Sequence, residues 1–112
     1  MTTTPLTEAV RRLLENAPKS ALPLTYQQVA EALGLAPPRT IARVTGALEE
    51  LMREDAESGR PFLAALVVSR RDGVPGHGFF ELARALSRFP DDPTRQRDAY
   101  HREFARALAA RD

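Results

Sequence analysis

The side chains best suited to chemistry in this sequence are arginines at helical spacing, in the segment RTIARVTGALEELMRE, 39–54. Alternating steps of four and three residues place one set of residues on a single helix face, namely Arg39, Arg43, Gly46, Glu50 and Arg53. Guanidinium groups bind phosphates and guanine edges, and a glycine allows close approach of a ligand. The second half of this segment is acidic, through Glu49, Glu50, Glu54 and Asp55, so an ordinary solvated helix face is the alternative.

A second polar group follows the apolar run FLAALVVS, in the segment RRDGVPGHGFF, 70–80. Its basic side chains, Arg70, Arg71 and His77, are suited to contacts with DNA phosphates or the minor groove. Its three glycines fit a loop that must be permissive or that a ligand approaches closely. The alternative is a solvated hairpin in which the Asp-Gly pair supplies the positive φ of a turn.

No residues in the sequence assemble into a catalytic or metal site. The absence of cysteine excludes disulfides, thiolate metal sites and cysteine nucleophiles. His77 and His101 lack metal-ligand spacing, and the aspartates at 72, 91 and 92 stand in turn segments where aspartate is favoured locally. The sequence therefore predicts a protein that is not an enzyme and has no metal or cofactor.

Size and composition indicate one globular domain, 1–112, with 43% apolar and 28% charged residues. Sixteen basic and fifteen acidic residues leave a net charge of only +1, so charge alone does not indicate nucleic-acid binding. No apolar run approaches the roughly 20 residues that span a bilayer, and the N-terminus does not resemble a secretory signal. We expect a cytoplasmic protein of bacterial type, without a membrane partner.

Hydrophobic periodicity and capping residues predict four helices. The first runs over 7–16, the second is capped by Thr25 and ends at Gly34, and the last covers 93–110. The third restarts behind Pro37 and Pro38 and ends at Gly59, with a buried stripe of Ile41, Val44, Leu48 and Leu51.

The remaining segments predict a small hairpin and a short helix. The apolar run at 61–68 is typical of a buried strand, GFF begins a return strand, and ELARALSRF is a short helix that stops at Pro90. The predicted fold is mainly α with a small β-hairpin, a winged helix-turn-helix with extra C-terminal helices. The helix-turn-helix occupies 25–55, the strand and wing 61–80, and the C-terminal helices 81–110.

Two segments resemble the C-terminal domain of the alkylguanine-DNA alkyltransferases and the alkyltransferase-like proteins. They are LTYQQVAEALGLAPPRTIARVTGAL, 24–48, and AALVVSRRDGVPGHGFF, 64–80. The resemblance implies a winged helix that contacts DNA, with Tyr26 near the phosphate of a flipped nucleotide and Arg43 holding the base out of the stack. Gly46 matches the glycine of that family's recognition helix.

The reactive motif of that family is missing from this chain. Its Pro-Cys-His-Arg falls on Leu63, Ala64, Ala65 and Leu66, which excludes alkyl transfer. We therefore predict a small DNA-binding protein whose partner is double-stranded DNA and whose contact residues are Tyr26, Gln27, Arg39, Thr40, Arg43, Gly46, Arg70, Arg71 and His77. The alternative is a protein-interaction or dimerisation module on the same scaffold.

Overall fold

A computed structural model of the protein describes residues 5–111, so residues 1–4 and 112 of the predicted domain lie outside it. The α-helices are α1 (Pro5–Asn16), α2 (Tyr26–Ala32), α3 (Thr40–Glu57), α4 (His77–Ala85) and α5 (Pro93–Ala110). The strands are β1 (Leu24–Thr25) and β2 (Val67–Val68), and 3-10 turns cover Lys19–Ala21 and Leu63–Leu66. The mainly helical class and the four helices predicted from periodicity are confirmed.

Local capping explains where α2 begins and ends. The Thr25 hydroxyl accepts a hydrogen bond from the Gln28 N–H at 3.1 Å, and the Gln28 side chain accepts from the Thr25 N–H at 2.9 Å. This capping box satisfies two backbone donors that the helix leaves unpaired. Gly34 then takes φ +65° and ends the helix, as its position predicts.

The buried stripe of α3 is confirmed at Val44, Leu48 and Leu51, which pack toward α1, α2 and the 3-10 turn at 63–66. The prediction that Ile41 belongs to this buried stripe is wrong, because its side chain is 45% exposed. The buried positions of α3 begin only at Val44, so the first turn extends beyond the core. The two prolines precede the helix instead of lying in its first turn.

The predicted β-hairpin is wrong, because the two strands pair in parallel. Leu24 pairs with Val67 and Thr25 with Val68, so the partner of β2 lies before α2 and not after the glycine-rich loop. The GFF segment belongs to α4, which begins at His77 inside the predicted wing. The segment forms the first turn of α4, where the Phe79 N–H donates to the Gly76 carbonyl at 3.0 Å, and the helix turns Phe79 toward the core.

The apolar run at 61–68 is buried as predicted, but most of it is not a strand. Two carboxylates from other elements accept its first backbone donors: Glu103 binds the Phe62 N–H at 2.6 Å, and Asp55 binds the Leu63 N–H at 3.0 Å. Because the two carboxylates accept these N–H groups, the start of the run needs no neighbouring strand. The chain forms a 3-10 turn there before β2. An apolar run of this length does not by itself distinguish a strand from a buried helical turn.

Aromatic side chains of α4 and α5 form one cluster with Phe62 and Phe89, which lie outside the helices. The Phe79 ring lies edge-on to Phe62, Phe89 and Tyr100, with centroids 5.7–6.1 Å apart. The Tyr100 hydroxyl donates to the Ala65 carbonyl at 3.0 Å, which anchors α5 on the 3-10 turn. Edge-to-face pairs of this kind stabilise a core beyond the area they bury. In the described chain, no helix is long and apolar enough to cross a membrane.

Candidate nucleic-acid interface

The exposed first half of α3 holds four of the predicted contact residues. Arg39 precedes the helix in the left-handed conformation, with φ 62°, and its carbonyl accepts the Arg43 N–H at 3.0 Å. Arg39, Arg43 and Gly46 are exposed, and Thr40 is half-buried. The structure therefore brings these predicted residues together on one open end of the helix.

Gly46 stands on this face with no neighbour that requires a glycine. A Cβ atom built there would meet no heavy atom within 4 Å apart from the helix's own backbone and its chain neighbours. Glycine inside a helix costs roughly 0.5–1 kcal/mol relative to alanine. The packing of the described residues gives no reason for this cost, whereas close approach of an external partner would.

Two of the four acidic residues named for the second half of α3, Glu54 and Asp55, are paired with arginines within the fold. Asp55 is only 1% exposed and lies 3.2 Å from Arg11 of α1 and 3.2 Å from Arg60. Glu54 also pairs with Arg11, at 2.9 Å. Both carboxylates are thus neutralised by arginines that pack against the C-terminal half of the helix, and their charges weigh little against an anion at its N-terminus.

Tyr26 is a structural tether between α2 and the loop before α4. Its hydroxyl accepts a hydrogen bond from the Gly76 N–H at 2.7 Å. Burial raises the pKa of Tyr26 above its ordinary value of 10.0, and the charge of Glu49 adds to the rise against the opposing bond from Gly76. The hydroxyl is therefore neutral at physiological pH, and its acceptor side is occupied within the fold.

Replacing Tyr26 with phenylalanine tests this tether. We expect the free energy of unfolding to fall by about 1–2 kcal/mol, because the Gly76 N–H loses its acceptor in a half-buried position. Urea denaturation followed by circular dichroism measures the change. Gln27→Ala is the control, since this exposed neighbour should alter stability by less than about 0.5 kcal/mol. Equal stability of Tyr26→Phe and the wild type would contradict the tether.

The remaining predicted residues lie outside α3. Arg70 and Arg71 are exposed in a turn closed by two bonds, from the Ser69 N–H to the Val74 carbonyl at 2.7 Å and from the Gly73 N–H to the Ser69 carbonyl at 2.9 Å. His77 is the first residue of α4, and its Nε2 lies 3.3 Å from a carboxylate oxygen of Glu81. These three side chains belong to a loop and a helix start, not to the strands of a wing.

A small cavity lies beside α3 and includes Ala64 in its wall. Its volume is about 20 Å³, and its wall includes Tyr26, Glu49, Ala64 and Phe79. Ala64 is the residue that the predicted resemblance aligns with a cysteine, and its side chain is a methyl group. A space of this size holds about one water molecule and no nucleobase. The cavity therefore matches neither alkyl transfer nor the binding of an extruded base.

The sequence patterns do not indicate the buried polar site around Glu103, because its residues are far apart in the chain. The Glu103 side chain is 3% exposed and accepts a hydrogen bond from the Phe62 N–H. Its carboxylate also lies 3.2 Å from the guanidinium of Arg88. That guanidinium stacks on the Phe62 ring, 4.5 Å from the ring centre. Together with Asp55, Glu103 holds the start of the 3-10 turn. Among residues 5–111, no group of three histidines or acidic residues could hold a metal ion.

Comparison of the chain with protein-family models, curated proteins and solved structures found no match. The resemblance to the alkyltransferase-like proteins therefore remains a prediction, carried by the residues at 24–48 and 64–80.

Proposed function

We propose that this protein binds double-stranded DNA without catalysing a reaction on it, through a helix-turn-helix formed by α2 and α3. The observation that carries the proposal is the N-terminal end of α3, where Arg43 and Gly46 are exposed on the helix and Arg39 is exposed at the residue before it. The N-terminal residues of a recognition helix are those that reach base edges in the groove. Thr40 lies between the two arginines and adds a hydroxyl that can bond to a base or a phosphate.

Charge supports DNA as the ligand of this face, although the net charge of the chain is small. From Ala32 to Leu48 the chain has two arginines and no acidic residue. The N-terminus of the 18-residue α3 adds the positive end of a helix dipole. Positive charge is thus concentrated where a polyanion would approach, while Glu54 and Asp55 are paired toward α1.

In this proposal the flanking residues position the protein on the DNA backbone. Gln27 is exposed one residue after the start of α2, and Arg70, Arg71 and His77 are exposed around the loop before α4. Contacts from such side chains fix the register on the duplex without reading sequence. Because the acceptor side of Tyr26 is occupied by Gly76, this residue holds the loop against α2 and contacts DNA only through its remaining O–H.

The proposal predicts that duplex binding weakens steeply with salt and depends on Arg43. Arg43→Ala should lower the affinity by about 1–3 kcal/mol if the guanidinium reads a base. Fluorescence anisotropy with a labelled duplex, titrated at several salt concentrations, measures both effects. Arg97→Ala on α5 is the matched control, because it removes the same charge from an exposed site on another helix. Absence of duplex binding by the wild type at low salt would overturn the proposal.

The alternative function is a protein-interaction or dimerisation module on the same scaffold. The net charge of only +1 and the acidic pair Glu49 and Glu50 on α3 favour it, since neither feature suits a polyanion. A mobility shift against duplex and single-stranded DNA, with light scattering on the same sample, separates the two functions. A dimer with no DNA shift supports the module, and a monomer that shifts duplex DNA supports DNA binding.

A further inference from the structure

A second and larger cavity, of about 220 Å³, lies where α1, α5 and the segment after α3 meet. An arginine from each of these three parts of the chain lines it, namely Arg11, Arg111 and Arg60. The rest of its wall is formed by four apolar residues and two acidic ones: Pro61, Leu63, Ala107, Ala110, Glu15 and Asp55. None of the predicted DNA-contact residues belongs to this wall, so the cavity is separate from the candidate interface.

Two of the three arginines are already matched by carboxylates. Asp55 lies 3.2 Å from both Arg11 and Arg60, and Glu54 lies 2.9 Å from Arg11. The Glu15 side chain is exposed, so water screens its charge. The positive charge that no carboxylate of the described chain pairs with is therefore that of Arg111.

Arg111 has donors that the fold does not use. Its Nη2 donates to the carbonyls of Glu15, at 3.4 Å, and Ala17, which lie at the C-terminal end of α1. Its Nε and Nη1 are buried and have no hydrogen-bond partner among residues 5–111. A buried donor without an acceptor is costly, more so in a charged group. Anchoring the end of α1 accounts for Nη2, whereas an acceptor from outside the chain would account for the other two nitrogens.

We propose that this cavity binds a small organic monoanion, a carboxylate on a short apolar chain, with Arg111 as its counter-charge. The planar guanidinium group matches the two oxygens of a carboxylate. The apolar chain would pack on Leu63, Ala107 and Ala110. Asp55 in the same wall disfavours an anion with a second negative charge, such as phosphate. The proposed site is independent of the proposed DNA binding.

Binding requires a small movement of Arg111. Because Nε and Nη1 are buried, the guanidinium group has to turn toward the cavity before a ligand oxygen can reach them. The bond that this movement breaks is the one to the Glu15 carbonyl, which at 3.4 Å is long for a hydrogen bond and contributes little. The bond to the Ala17 carbonyl can stay in place as the pivot.

Titration of the protein with sodium butyrate, followed by amide NMR at constant ionic strength against sodium chloride, tests the proposal. We expect saturable shifts at Leu63, Ala107 and Ala110, which line the cavity. Acetate should bind more weakly, by about fourfold for each methylene group that it lacks and the cavity buries. Inorganic phosphate should bind more weakly than butyrate. No saturable shift with butyrate, or tighter binding of phosphate, would overturn the proposal.

Arg111→Lys separates ligand binding from the anchoring of α1. Lysine keeps the charge at the end of α1 but has no planar fork, so we expect the affinity for butyrate to fall about tenfold or more. The melting temperature without butyrate, measured by circular dichroism, should stay close to that of the wild type. Arg12→Lys is the matched control, since Arg12 is exposed on α1 and does not line the cavity. Wild-type affinity in a folded Arg111→Lys variant, or an equal loss in Arg12→Lys, would contradict the role of Arg111.

Discussion

Replacing Asp55 with alanine is expected to destabilise the protein by about 3 kcal/mol, because the buried Leu63 N–H loses its acceptor and two arginines lose a charge-assisted partner. The carboxylate is 1% exposed and faces Arg11 and Arg60 with one oxygen, while the other accepts the Leu63 N–H. Its loss removes one of the two ion pairs that join Arg11 of α1 to α3, together with the bond from α3 to the start of the 3-10 turn. Urea denaturation followed by circular dichroism measures the fall in the free energy of unfolding.

Glu54→Ala is the matched control for this prediction. The neighbouring carboxylate contacts the same Arg11 at 2.9 Å, but its side chain is 25% exposed and can be replaced by water. Ion pairs that water reaches contribute at most about 1 kcal/mol. If both variants lost the same small amount of stability, the buried bonds of Asp55 would contribute no more than the exposed ion pair of Glu54, which would contradict the prediction.

Phe62→Ala is the second substitution with a large expected effect, a loss of about 3–5 kcal/mol in the free energy of unfolding. Phe62 is fully buried, and Arg88 stacks on its ring. The centroid of the Phe62 ring lies 6.0 Å from that of Phe79, which is edge-on to it, and 6.5 Å from that of Phe89. Truncation would leave a cavity between the 3-10 turn and α4. Thermal and urea denaturation measure the loss.

Phe62→Leu separates packing from the aromatic and cation–π contributions. Leucine keeps most of the apolar volume, so this variant should lose markedly less stability than Phe62→Ala. Phe80→Ala is a further control, because that ring belongs to the same cluster but is only half-buried. A loss for Phe80→Ala as large as that for Phe62→Ala would show that the cluster is not centred on Phe62.

Both substitutions affect the segment at 61–68, where the sequence predicted the wrong secondary structure: Phe62 lies in it, and Asp55 of α3 bonds to it. The run at 61–68 has the composition of a strand, and the GFF segment has the appearance of a returning one. Their observed conformations depend on carboxylates from α3 and α5 and on a parallel partner at Leu24–Thr25. None of these partners is close in sequence, so no local pattern indicates them.

The helices and most of the candidate interface were predictable because their signals are local. The ends of α2 and the start of α5 are set by interactions within a few residues. They occur at Thr25 with Gln28, at Gly34, and at Asp92 with Pro93. The helical spacing of Arg43 and Gly46 likewise places them on one face whatever surrounds the helix. Arg39 is different, because it takes a left-handed conformation before the helix begins. That this face is open to solvent is a property of the packing, although the spacing is consistent with it.

By itself the sequence determined the class of the fold, the positions of four helices and the absence of a cysteine nucleophile. Only the tertiary structure decided that Ile41 is exposed, that Asp55 is buried and paired, and that α4 replaces a hairpin. The physical reason is the range of the interactions. Caps and helical periodicity act within one or two turns, whereas burial and ion pairing depend on which distant elements meet, as Asp55 does with Arg11.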